Sequence, residues 1–307
     1  MVRAAQIAEL GKPPESVHVE GEGPIELLAV ALNPLDLAVA AGRFYGGHPP
    51  LPYVPGCEGV GRRDGQRLYL FGEGWGTLRD GFLVERADFP LPLAVPVPDG
   101  LDEAVAAACG IAGIAGWMPV ASRAPVRAGD RVLVLGATGT VGSVAVQAAR
   151  LLGAERVVAA GRDRDRLQRA LELGADAAVS LNGDDLPVEL REACGGDGPT
   201  LVIDPLWGEP VRAAAEAAAP GARIVHLGQS AGPEATFASA VVRGKRLSIL
   251  GYSVFALTPD ERRQAYLEVA EHVAAGRITI DVERFPLDQV AAAWVAQEGG
   301  GKAVVCF

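Results

Sequence analysis

The sequence predicts an α/β fold in which a doubly wound parallel sheet is joined to a smaller β-rich unit. The first observation is that apolar runs such as RVLVLG and RVVAAG alternate with helical segments such as VGSVAVQAARLLGA between about residues 101 and 255. Strand–helix alternation with wholly apolar strands is typical of a parallel sheet covered on both faces. The second observation is that residues 1 to about 100 contain short strand-like runs, IELLAVAL and QRLYLFG among them, broken by glycine and proline.

Two features mark the limits of these units. Four prolines in FPLPLAVPVPDG exclude helix and central strand, so the segment before residue 101 is predicted to be an extended crossover. Further along, TPDE supplies Thr258 as an N-cap, Pro259 at the first helical position and Glu261 three residues after the cap. Gly276 is expected to end that helix, and a short helix and a closing strand follow.

Composition excludes several classes of protein. Of the 307 residues, 49% are hydrophobic and 21% are charged, which allows a large core. The formal net charge of −10 argues against nucleic acid as the main partner, since phosphate binding needs a basic face. Residues 104–122 carry no charge, but their Ala- and Gly-rich composition and Pro119 favour a buried helix and turn over a membrane span. MVRAAQIAELGK lacks a signal-peptide pattern and the four cysteines form no CxxC pair, so we expect a cytoplasmic protein with reduced thiols.

The segment RVLVLGATGTVGSVAVQAARLLGA, residues 131–154, carries the clearest binding signal. An apolar strand runs directly into three glycines and then into an amphipathic helix. Glycine allows a tight turn and a close approach of the backbone to a pyrophosphate, and the helix N-terminus supplies unpaired N–H groups. A glycine-rich turn can be only a turn, but this one has the strand–turn–helix context that dinucleotide binding requires. The predicted contacts are Gly136, Thr138, Gly139, Thr140, Val141 and Gly142.

The second strand of this region indicates which dinucleotide binds. A strand that reads an unmodified ribose 2′-hydroxyl ends in Asp or Glu, whereas RVVAAG ends in Gly161, followed by Arg162. Arg162 and, one helical turn further on, Arg166 suit a 2′-phosphate, because guanidinium pairs with phosphate bidentately. The sequence therefore favours NADPH over NADH. Two alternatives stay open: that RDRDR is only a solvated helix start, and that Asp163 reaches the ribose.

Several segments together resemble the medium-chain dehydrogenase/reductase superfamily. They are NPLD at 33–36, PGCEGVG at 55–61, the turn from Gly139 to Gly142, LGAD at 173–176, GARIVHLG at 221–228 and GKAVV near the end of the chain. Within the superfamily the chain is most similar to the zinc-independent quinone oxidoreductases, the zeta-crystallin-like branch, over essentially its whole length. The resemblance implies a GroES-like catalytic domain formed by residues 1–100 and 258–307. A Rossmann NADPH-binding domain, residues 101–257, would be inserted between them.

The resemblance also implies that the chain binds no metal. Zinc-dependent alcohol dehydrogenases of the superfamily carry a ligand Cys where this chain has Asn33, a ligand His at Cys57 and a ligand Cys at Ile111. One soft ligand in three positions cannot hold Zn²⁺, which takes three protein ligands in a catalytic site. The closely spaced cysteines of a structural zinc lobe are also absent. Cys109 lies two residues from the third position, so a shifted alignment remains as an alternative.

The same resemblance suggests roles for side chains in a substrate site. Asn33 is expected to donate a hydrogen bond to the acceptor oxygen. Tyr45 would stand where related quinone reductases carry a pocket tyrosine, although Phe44 could take that place and Tyr45 could be a loop aromatic. Cys57 is expected to line the pocket as a small side chain, since a nucleophile would need a base and only His48 is near.

Further residues are expected to support the site. Asp36 would fix its loop, and Glu58 would keep a structural role. The loop VHLGQSAG would pack near the nicotinamide through Leu227, Gly228 and Gln229, with its backbone bonding the carboxamide.

The expected activity is NADPH-dependent hydride transfer to a quinone or an α,β-unsaturated carbonyl, because the cofactor carries the chemistry and needs no protein nucleophile. An enoyl-thioester reductase is the alternative among enzymes, and an NADPH-binding protein with a mainly non-catalytic role is the alternative from another class. The apolar run RLSILGYSVF, residues 246–255, is predicted to be an exposed edge strand that pairs with its copy in a homodimer.

Overall fold

The computed structural model describes all of residues 1–307. The chain begins with short strands separated by glycine- and proline-rich turns, as predicted. The first elements are strands β1 (Val2–Gln6), β2 (Glu15–Val19) and β3 (Ile25–Ala31), helix α1 (Pro34–Ala40), strands β4 (Glu58–Arg63), β5 (Gln66–Phe71), β6 (Arg86–Ala87) and β7 (Val95–Pro96), and helix α2 (Glu103–Ala108). Side chains alternate along β3, so that Ile25 and Leu27 are buried while Glu26 stays exposed.

The proline-rich crossover contributes only a minor strand. β7 has two residues and pairs with β5 alone, at the edge of its sheet. Proline donates no backbone hydrogen bond, so an edge position is where Pro96 can be accommodated. The segment is extended, as its prolines predicted, except for one 3-10 turn at Leu91–Leu93, which the exclusion of helix had not anticipated.

The alternating apolar runs in the middle of the chain form one parallel sheet. The elements are α3 (Ile114–Met118), β8 (Arg131–Leu135), α4 (Thr140–Leu151), β9 (Arg156–Gly161), α5 (Arg164–Glu172), β10 (Ala177–Ser180), α6 (Leu186–Cys194), β11 (Leu201–Asp204), α7 (Gly208–Ala217), β12 (Arg223–His226), α8 (Ser239–Lys245) and β13 (Ser248–Gly251). The strand order is β10-β9-β8-β11-β12-β13, and every neighbouring pair is parallel.

This order confirms the predicted Rossmann fold. The strand order reverses between β8 and β11, and ligands of open α/β sheets bind outside the carboxyl ends of the strands at such a point. The apolar side chains of β8, β9, β11 and β12 are fully buried, as wholly apolar runs require, with Leu133, Val158, Val202 and Ile224 in one core.

The C-terminal elements return to the first sheet. They are α9 (Pro259–Ala274), β14 (Glu283–Pro286), α10 (Val290–Glu298) and β15 (Ala303–Cys306). β15 pairs antiparallel with β3 and parallel with β14, which gives the sheet order β14-β15-β3-β4-β5-β7, with β6 on β3. Both chain ends thus build the β-rich unit that the GroES-like expectation described.

The predicted helix start at TPDE is confirmed. The Thr258 hydroxyl accepts the Glu261 N–H at 3.3 Å, and the Glu261 carboxylate accepts the Thr258 N–H at 2.8 Å. These reciprocal bonds satisfy N–H groups that have no partner within α9. The helix is followed by Gly276 at φ 68°, a left-handed conformation that glycine adopts without a steric penalty.

The chain divides into two compact units. One limit falls after Leu257, where it was predicted, whereas the other falls after Ala112 and not after residue 100. We call the first the mixed-sheet unit and the second the parallel-sheet unit. The mixed-sheet unit comprises Met1–Ala112, Thr258–Gly276 and Ile280–Phe307, and the parallel-sheet unit comprises Gly113–Leu257 and Arg277–Thr279.

Two local interactions explain these limits. α2 packs against β3, β4 and β15, and the Tyr266 hydroxyl donates to the Ala106 carbonyl at 3.1 Å, so residues 101–112 belong with the mixed sheet. Gln147 on α4 bonds both backbone groups of Thr279, donating to its carbonyl at 2.9 Å and accepting its N–H at 2.7 Å. The short segment Arg277–Thr279 therefore belongs to the parallel-sheet unit.

One helical stretch, Glu103–Arg123, is long and apolar enough to cross a membrane by length and composition alone. However, 72% of its apolar window is buried inside the protein, which matches the predicted buried helix. The stretch is not a straight helix, since Gly110 adopts φ −67° and ψ −117°.

Candidate functional site

The glycines after β8 each meet a different steric demand. Gly136 has φ 62°, which turns the chain sharply at the strand end. A Cβ on Gly142 would lie 2.3 Å from the Gly136 carbonyl oxygen, so this glycine lets α4 pack directly on the turn. A Cβ on Gly139 would meet nothing closer than 3.6 Å. The surface over Gly139 is therefore open, as the close approach of a pyrophosphate requires.

The N-terminus of α4 is left uncapped. No side chain caps it, whereas Asp163 caps α5 and Thr258 caps α9. Inside the helix start, the first N–H with a backbone acceptor is that of Ser143, which donates to the Gly139 carbonyl at 2.8 Å. The N–H groups of Thr140, Val141 and Gly142 are thus available to an anion, and they are the donor set that suits phosphate oxygens.

The end of β9 brings together the residues predicted to select the cofactor. Gly161 packs under Thr138, where a Cβ would lie 2.5 Å from the threonine methyl group. Arg162 is exposed directly after the strand, and its carbonyl accepts a 3.4 Å bond from the Asn182 amide. Arg166 follows on the first turn of α5, with its Nε 3.8 Å from Asp163 Oδ2.

Asp163 has a structural role at this point. Its Oδ1 accepts the N–H groups of Asp165 and Arg166, both at 3.0 Å. Its other oxygen faces Arg166. The alternative that Asp163 reaches a ribose hydroxyl is therefore disfavoured, because its carboxylate already caps the helix.

The loop after β12 lies at the same edge of the parallel sheet. The Leu227 N–H donates to the Asp204 carbonyl at 2.9 Å, and a Cβ on Gly228 would lie 2.6 Å from the Pro205 oxygen. The β11 loop also meets the glycine turn, since a Cβ on Gly136 would contact Leu206 at 3.0 Å. The structure thus brings the ends of β8, β11 and β12 together, while Gln229 is exposed.

Sequence reasoning missed three residues at this edge. Asp204 is fully buried at the end of β11, His226 ends β12, and the Trp207 ring lies 4.0 Å from the His226 ring between centroids. A carboxylate closing the apolar run LVID was the available signal, because a buried acid needs a specific partner.

In the mixed-sheet unit, the positions that correspond to zinc ligands lie in a buried polar network. The Asn33 amide donates to Glu58 Oε1 at 2.8 Å and to the Ala31 carbonyl at 3.2 Å. Its oxygen accepts a 2.8 Å bond from Lys302 Nζ, which also donates to the Leu32 carbonyl at 2.9 Å. Lys302 Nζ lies 3.5 Å from Glu58 Oε1, and both side chains are almost completely buried.

The second oxygen of Glu58 is equally engaged. It accepts the Tyr69 hydroxyl at 2.8 Å and the Ile111 N–H at 2.6 Å. Burial raises the pKa of Glu58 and lowers the pKa of Lys302, while their mutual attraction opposes both shifts. Only donors surround Glu58 and only acceptors surround Lys302, so the arrangement favours the ionised pair.

Asp36 holds the loop that carries Cys57, as predicted. Its two oxygens accept the Asn33 N–H at 2.8 Å and the Cys57 N–H at 2.9 Å. Burial and the adjacent Asp36 carboxylate raise the pKa of the Cys57 thiol well above its usual value. The thiol is therefore protonated, a state that suits neither nucleophilic attack nor metal coordination.

Two predicted substrate-site residues, Cys57 and Asn33, need correction, and the exposure of a third, Tyr45, agrees with the alternative left open for it. Cys57 is completely buried and so does not line an open pocket. Asn33 is 2% exposed, and both of its amide hydrogens are committed to Ala31 and Glu58, which leaves none for an acceptor oxygen. Tyr45 is 88% exposed, whereas its neighbour Phe44 packs against the hydrophobic core.

Potential metal ligands do not converge anywhere in the chain. No three His, Cys, Asp or Glu side chains group so that they could hold a metal ion. Cys109, the alternative third ligand, is buried, and burial raises the pKa of its thiol to about 12.

The buried pair predicts a non-additive effect on stability. Lys302→Met leaves the Glu58 carboxylate buried without its cation and should lower the free energy of unfolding by about 3–5 kcal/mol. Glu58→Gln should cost a similar amount, and the double variant should recover part of the loss. Urea unfolding measures each value, with Lys12→Met as the control, since Lys12 is exposed and has no ion pair. Strictly additive losses would show that the two charges do not interact.

Comparison with known proteins indicates the family to which the chain belongs. A family profile described as zinc-binding dehydrogenase matches residues 140–272. The solved structure of the Thermus thermophilus quinone oxidoreductase, also described in complex with NADPH, superimposes with a TM-score of 0.81 and 30% identity. That match covers 99% of this chain and 100% of the other.

Curated relatives fall into two groups. The chain is 28% identical over 298 residues to a phenolphthiocerol/phthiocerol polyketide synthase of Mycobacterium tuberculosis, a match that covers 92% of this chain but 13% of the synthase. It is 26% identical over 291 residues to the quinone oxidoreductase of Rattus norvegicus, which covers 86% of this chain and 84% of that protein.

The whole-length match to a quinone oxidoreductase and the observed parallel and mixed sheets indicate the same family. The chain is an oxidoreductase of the medium-chain dehydrogenase/reductase superfamily, and within it belongs to the quinone oxidoreductase branch.

Proposed function

We propose that the protein is a zinc-independent, NADPH-dependent reductase of quinones or α,β-unsaturated carbonyls. The observation that carries the proposal is the buried network of Asn33, Glu58 and Lys302, in which Asn33 stands at one of the metal-ligand positions, together with the uncapped N-terminus of α4. The network argues against a bound metal, and the uncapped helix N-terminus supports the binding of a dinucleotide.

The parallel-sheet unit supports NADPH through its donors and charges. Bound NADPH supplies the hydride, so the chain has to bind and orient it. The free N–H groups at the start of α4 would hold the pyrophosphate. Arg162 and Arg166 would pair with the 2′-phosphate, because no carboxylate at the end of β9 is available for a 2′-hydroxyl.

The mixed-sheet unit supports a reaction without metal on electrostatic grounds. The Lys302 ammonium lies 2.8 Å from Asn33 Oδ1, and a second cation at this position would be repelled. The protonated Cys57 thiol would have to lose its proton next to Asp36 before it could bind zinc. The network engages both the amide and the oxygen of Asn33, which supports a structural role for it in place of a metal centre.

A specific observation favours a second candidate acceptor. The curated relatives include polyketide synthases, and polyketide chains are assembled as acyl thioesters, so the acceptor could be an enoyl thioester in place of a free quinone. Both acceptors present an electron-poor carbon conjugated to a carbonyl, and hydride addition is the same chemistry.

An acceptor panel tests the proposal directly. The loss of NADPH absorbance is followed with benzoquinones, naphthoquinones, 2-enones and enoyl-CoA thioesters, and elemental analysis measures metal in the same sample. We expect turnover of quinones or enones, no stoichiometric zinc, and no loss of activity with a chelator. Turnover of thioesters alone would move the assignment to the second candidate. If no acceptor is reduced, the protein would be assigned as an NADPH-binding protein without this activity. One tightly bound zinc per chain would contradict the metal-free mechanism.

The two helix-start glycines predict opposite phenotypes. Gly139→Ala meets no atom closer than 3.6 Å, so folding should be retained, but the methyl group would occupy the pyrophosphate surface. NADPH binding should weaken by about tenfold or more. Gly142→Ala places Cβ 2.3 Å from a backbone oxygen and should lower the free energy of unfolding by about 1–3 kcal/mol. Calorimetric binding and urea unfolding measure the two effects, and the reverse pattern would refute this assignment of the turn.

Cofactor preference is tested at Arg162. Arg162→Ala should weaken NADPH binding by about 10- to 100-fold, the loss of one charge-assisted pair, and should barely change NADH binding. Arg164→Ala is the matched control, because Arg164 is an exposed arginine on the same helix start. Equal losses for NADPH and NADH would contradict recognition of the 2′-phosphate.

The edge of the parallel sheet supports the predicted homodimer, through a shorter strand than residues 246–255. β13 spans Ser248–Gly251 and pairs only with β12. Ser248 and Tyr252 donate their N–H groups to β12, so the alternating Ile249 N–H points away from the sheet. Ile249 is 39% exposed, and its free donor suits an antiparallel copy of the same strand.

The dimer proposal is tested by Ile249→Pro. This change removes the outward donor while the bonds to β12 remain, so light scattering should show a monomer at micromolar concentration. Ile249→Val keeps the donor and should stay dimeric. A monomeric unmodified protein would mean that the edge is protected in another way.

A further inference from the structure

A histidine and a buried carboxylate meet at the carboxyl ends of β11 and β12. His226 Nδ1 lies 3.0 Å from Asp204 Oδ2. The Asp204 side chain is completely buried, while the His226 side chain keeps 29% of its surface exposed. The Nδ1 edge of the imidazole is therefore held by a buried carboxylate, while the side chain as a whole stays partly exposed.

The partners of Asp204 determine the tautomer of His226. Asp204 Oδ1 accepts the Leu206 N–H at 3.0 Å and the Trp207 N–H at 2.9 Å. Its Oδ2 faces the imidazole, and a carboxylate can only accept hydrogen bonds. The hydrogen of the neutral ring therefore lies on Nδ1, which leaves a lone pair on Nε2.

Trp207 fixes the plane of the imidazole. Its backbone adopts φ 60°, an unfavourable conformation for a bulky residue, and the Asp204 carboxylate holds its N–H there. The indole ring lies 4.0 Å from the imidazole between centroids and is itself packed against the Phe237 ring. A ring held on one edge by a carboxylate and on one face by an indole is preorganised for a directional contact.

The position of this cluster in the sheet indicates its ligand. In a doubly wound sheet, each half takes one mononucleotide across the point where the strand order reverses. The half made of β8, β9 and β10 carries the glycine turn and Arg162, which suit the adenosine 2′-phosphate end. The half made of β11, β12 and β13 carries His226, so it would face the nicotinamide mononucleotide end.

We propose that His226, oriented by Asp204, binds the nicotinamide mononucleotide half of the cofactor by accepting a hydrogen bond at Nε2. That half offers two kinds of neutral hydrogen-bond donor, the ribose hydroxyls and the carboxamide N–H. His226 is a cofactor-contact residue in this proposal, and Asp204 is its positioning residue. The proposal rests on the proposed dinucleotide binding, and it assigns to the side chain of His226 a role separate from the backbone of the loop that follows.

Calorimetric titration with two ligands separates this role from a structural one. The ligands are NADPH and 2′,5′-ADP, which has the 2′-phosphate and adenine but lacks the nicotinamide half. His226→Leu should raise the dissociation constant for NADPH by about 3- to 10-fold, as expected for one lost neutral hydrogen bond. It should leave 2′,5′-ADP binding unchanged, which also shows that the parallel-sheet unit is folded. His226→Gln should recover part of the NADPH affinity, since its amide oxygen can accept.

A third ligand distinguishes the two donors. The 3-acetylpyridine analogue of NADPH lacks the carboxamide N–H but keeps the ribose hydroxyls. If the carboxamide is the donor, unmodified protein should bind the analogue about 3- to 10-fold more weakly than NADPH, and His226→Leu should remove that difference. If a ribose hydroxyl is the donor, His226→Leu should weaken both ligands equally.

Two outcomes would overturn the proposal while leaving the proposed function intact: an unchanged NADPH affinity in His226→Leu, or equal losses for NADPH and 2′,5′-ADP. Unmodified protein that binds neither ligand would overturn both.

Discussion

The contact between Lys302 and Glu58 is the interaction on which the mixed-sheet unit depends. Two buried charges are unfavourable unless every lone pair and proton has a partner. Here Asn33 bridges them, with its amide on Glu58 and its oxygen on Lys302. Asn33 and Glu58 belong to the first segment of the unit, whereas Lys302 directly precedes β15 near the end of the chain, so the complete network requires β15 to pair with β3.

The same network bears on the chemistry that we propose for the unit. By resemblance, Asn33 and Cys57 stand at two of the positions that carry zinc ligands in zinc-dependent relatives. In this chain those positions hold an amide and a protonated thiol, and the Lys302 ammonium lies 2.8 Å from the Asn33 oxygen. In the metal-free reaction that we propose, the hydrogen-bonded Lys302 ammonium is the buried cation of this unit. Catalysis would then depend mainly on the position of the cofactor, and the open, uncapped N-terminus of α4 suits that requirement.

Local patterns were readable in the sequence, and partnerships between distant residues were not. The capping box at Thr258 and the tight turn at Gly136 depend on neighbours a few residues away, so local sequence alone predicted them. Asn33 was assigned as a free donor because its partners lie 25 and 269 residues further along the chain. No local sequence pattern predicts contacts between residues so far apart in the chain.

The choice between Phe44 and Tyr45 and the first domain limit could not be settled from local sequence, for related reasons. Phe44 and Tyr45 are adjacent and chemically similar, and only the packed core distinguishes the inward ring from the exposed one. The domain limit at residue 100 followed the prolines, whereas the actual limit after Ala112 depends on the packing of α2 on the mixed sheet. Asp204 and His226 were overlooked because each lies in an ordinary strand, and their pairing requires β11 and β12 to be neighbours.

The most direct test of the account is to follow the hydride itself in metal-free protein. The protein is treated with a chelator, shown by elemental analysis to contain no zinc, and mixed with NADPH deuterated at the transferable C4 position and a 2-enone. Mass spectrometry of the product then locates the label. The account predicts deuterium on the β-carbon of the saturated ketone, at the rate of untreated protein. Absence of label from the product, or label that appears only when zinc is restored, would contradict it.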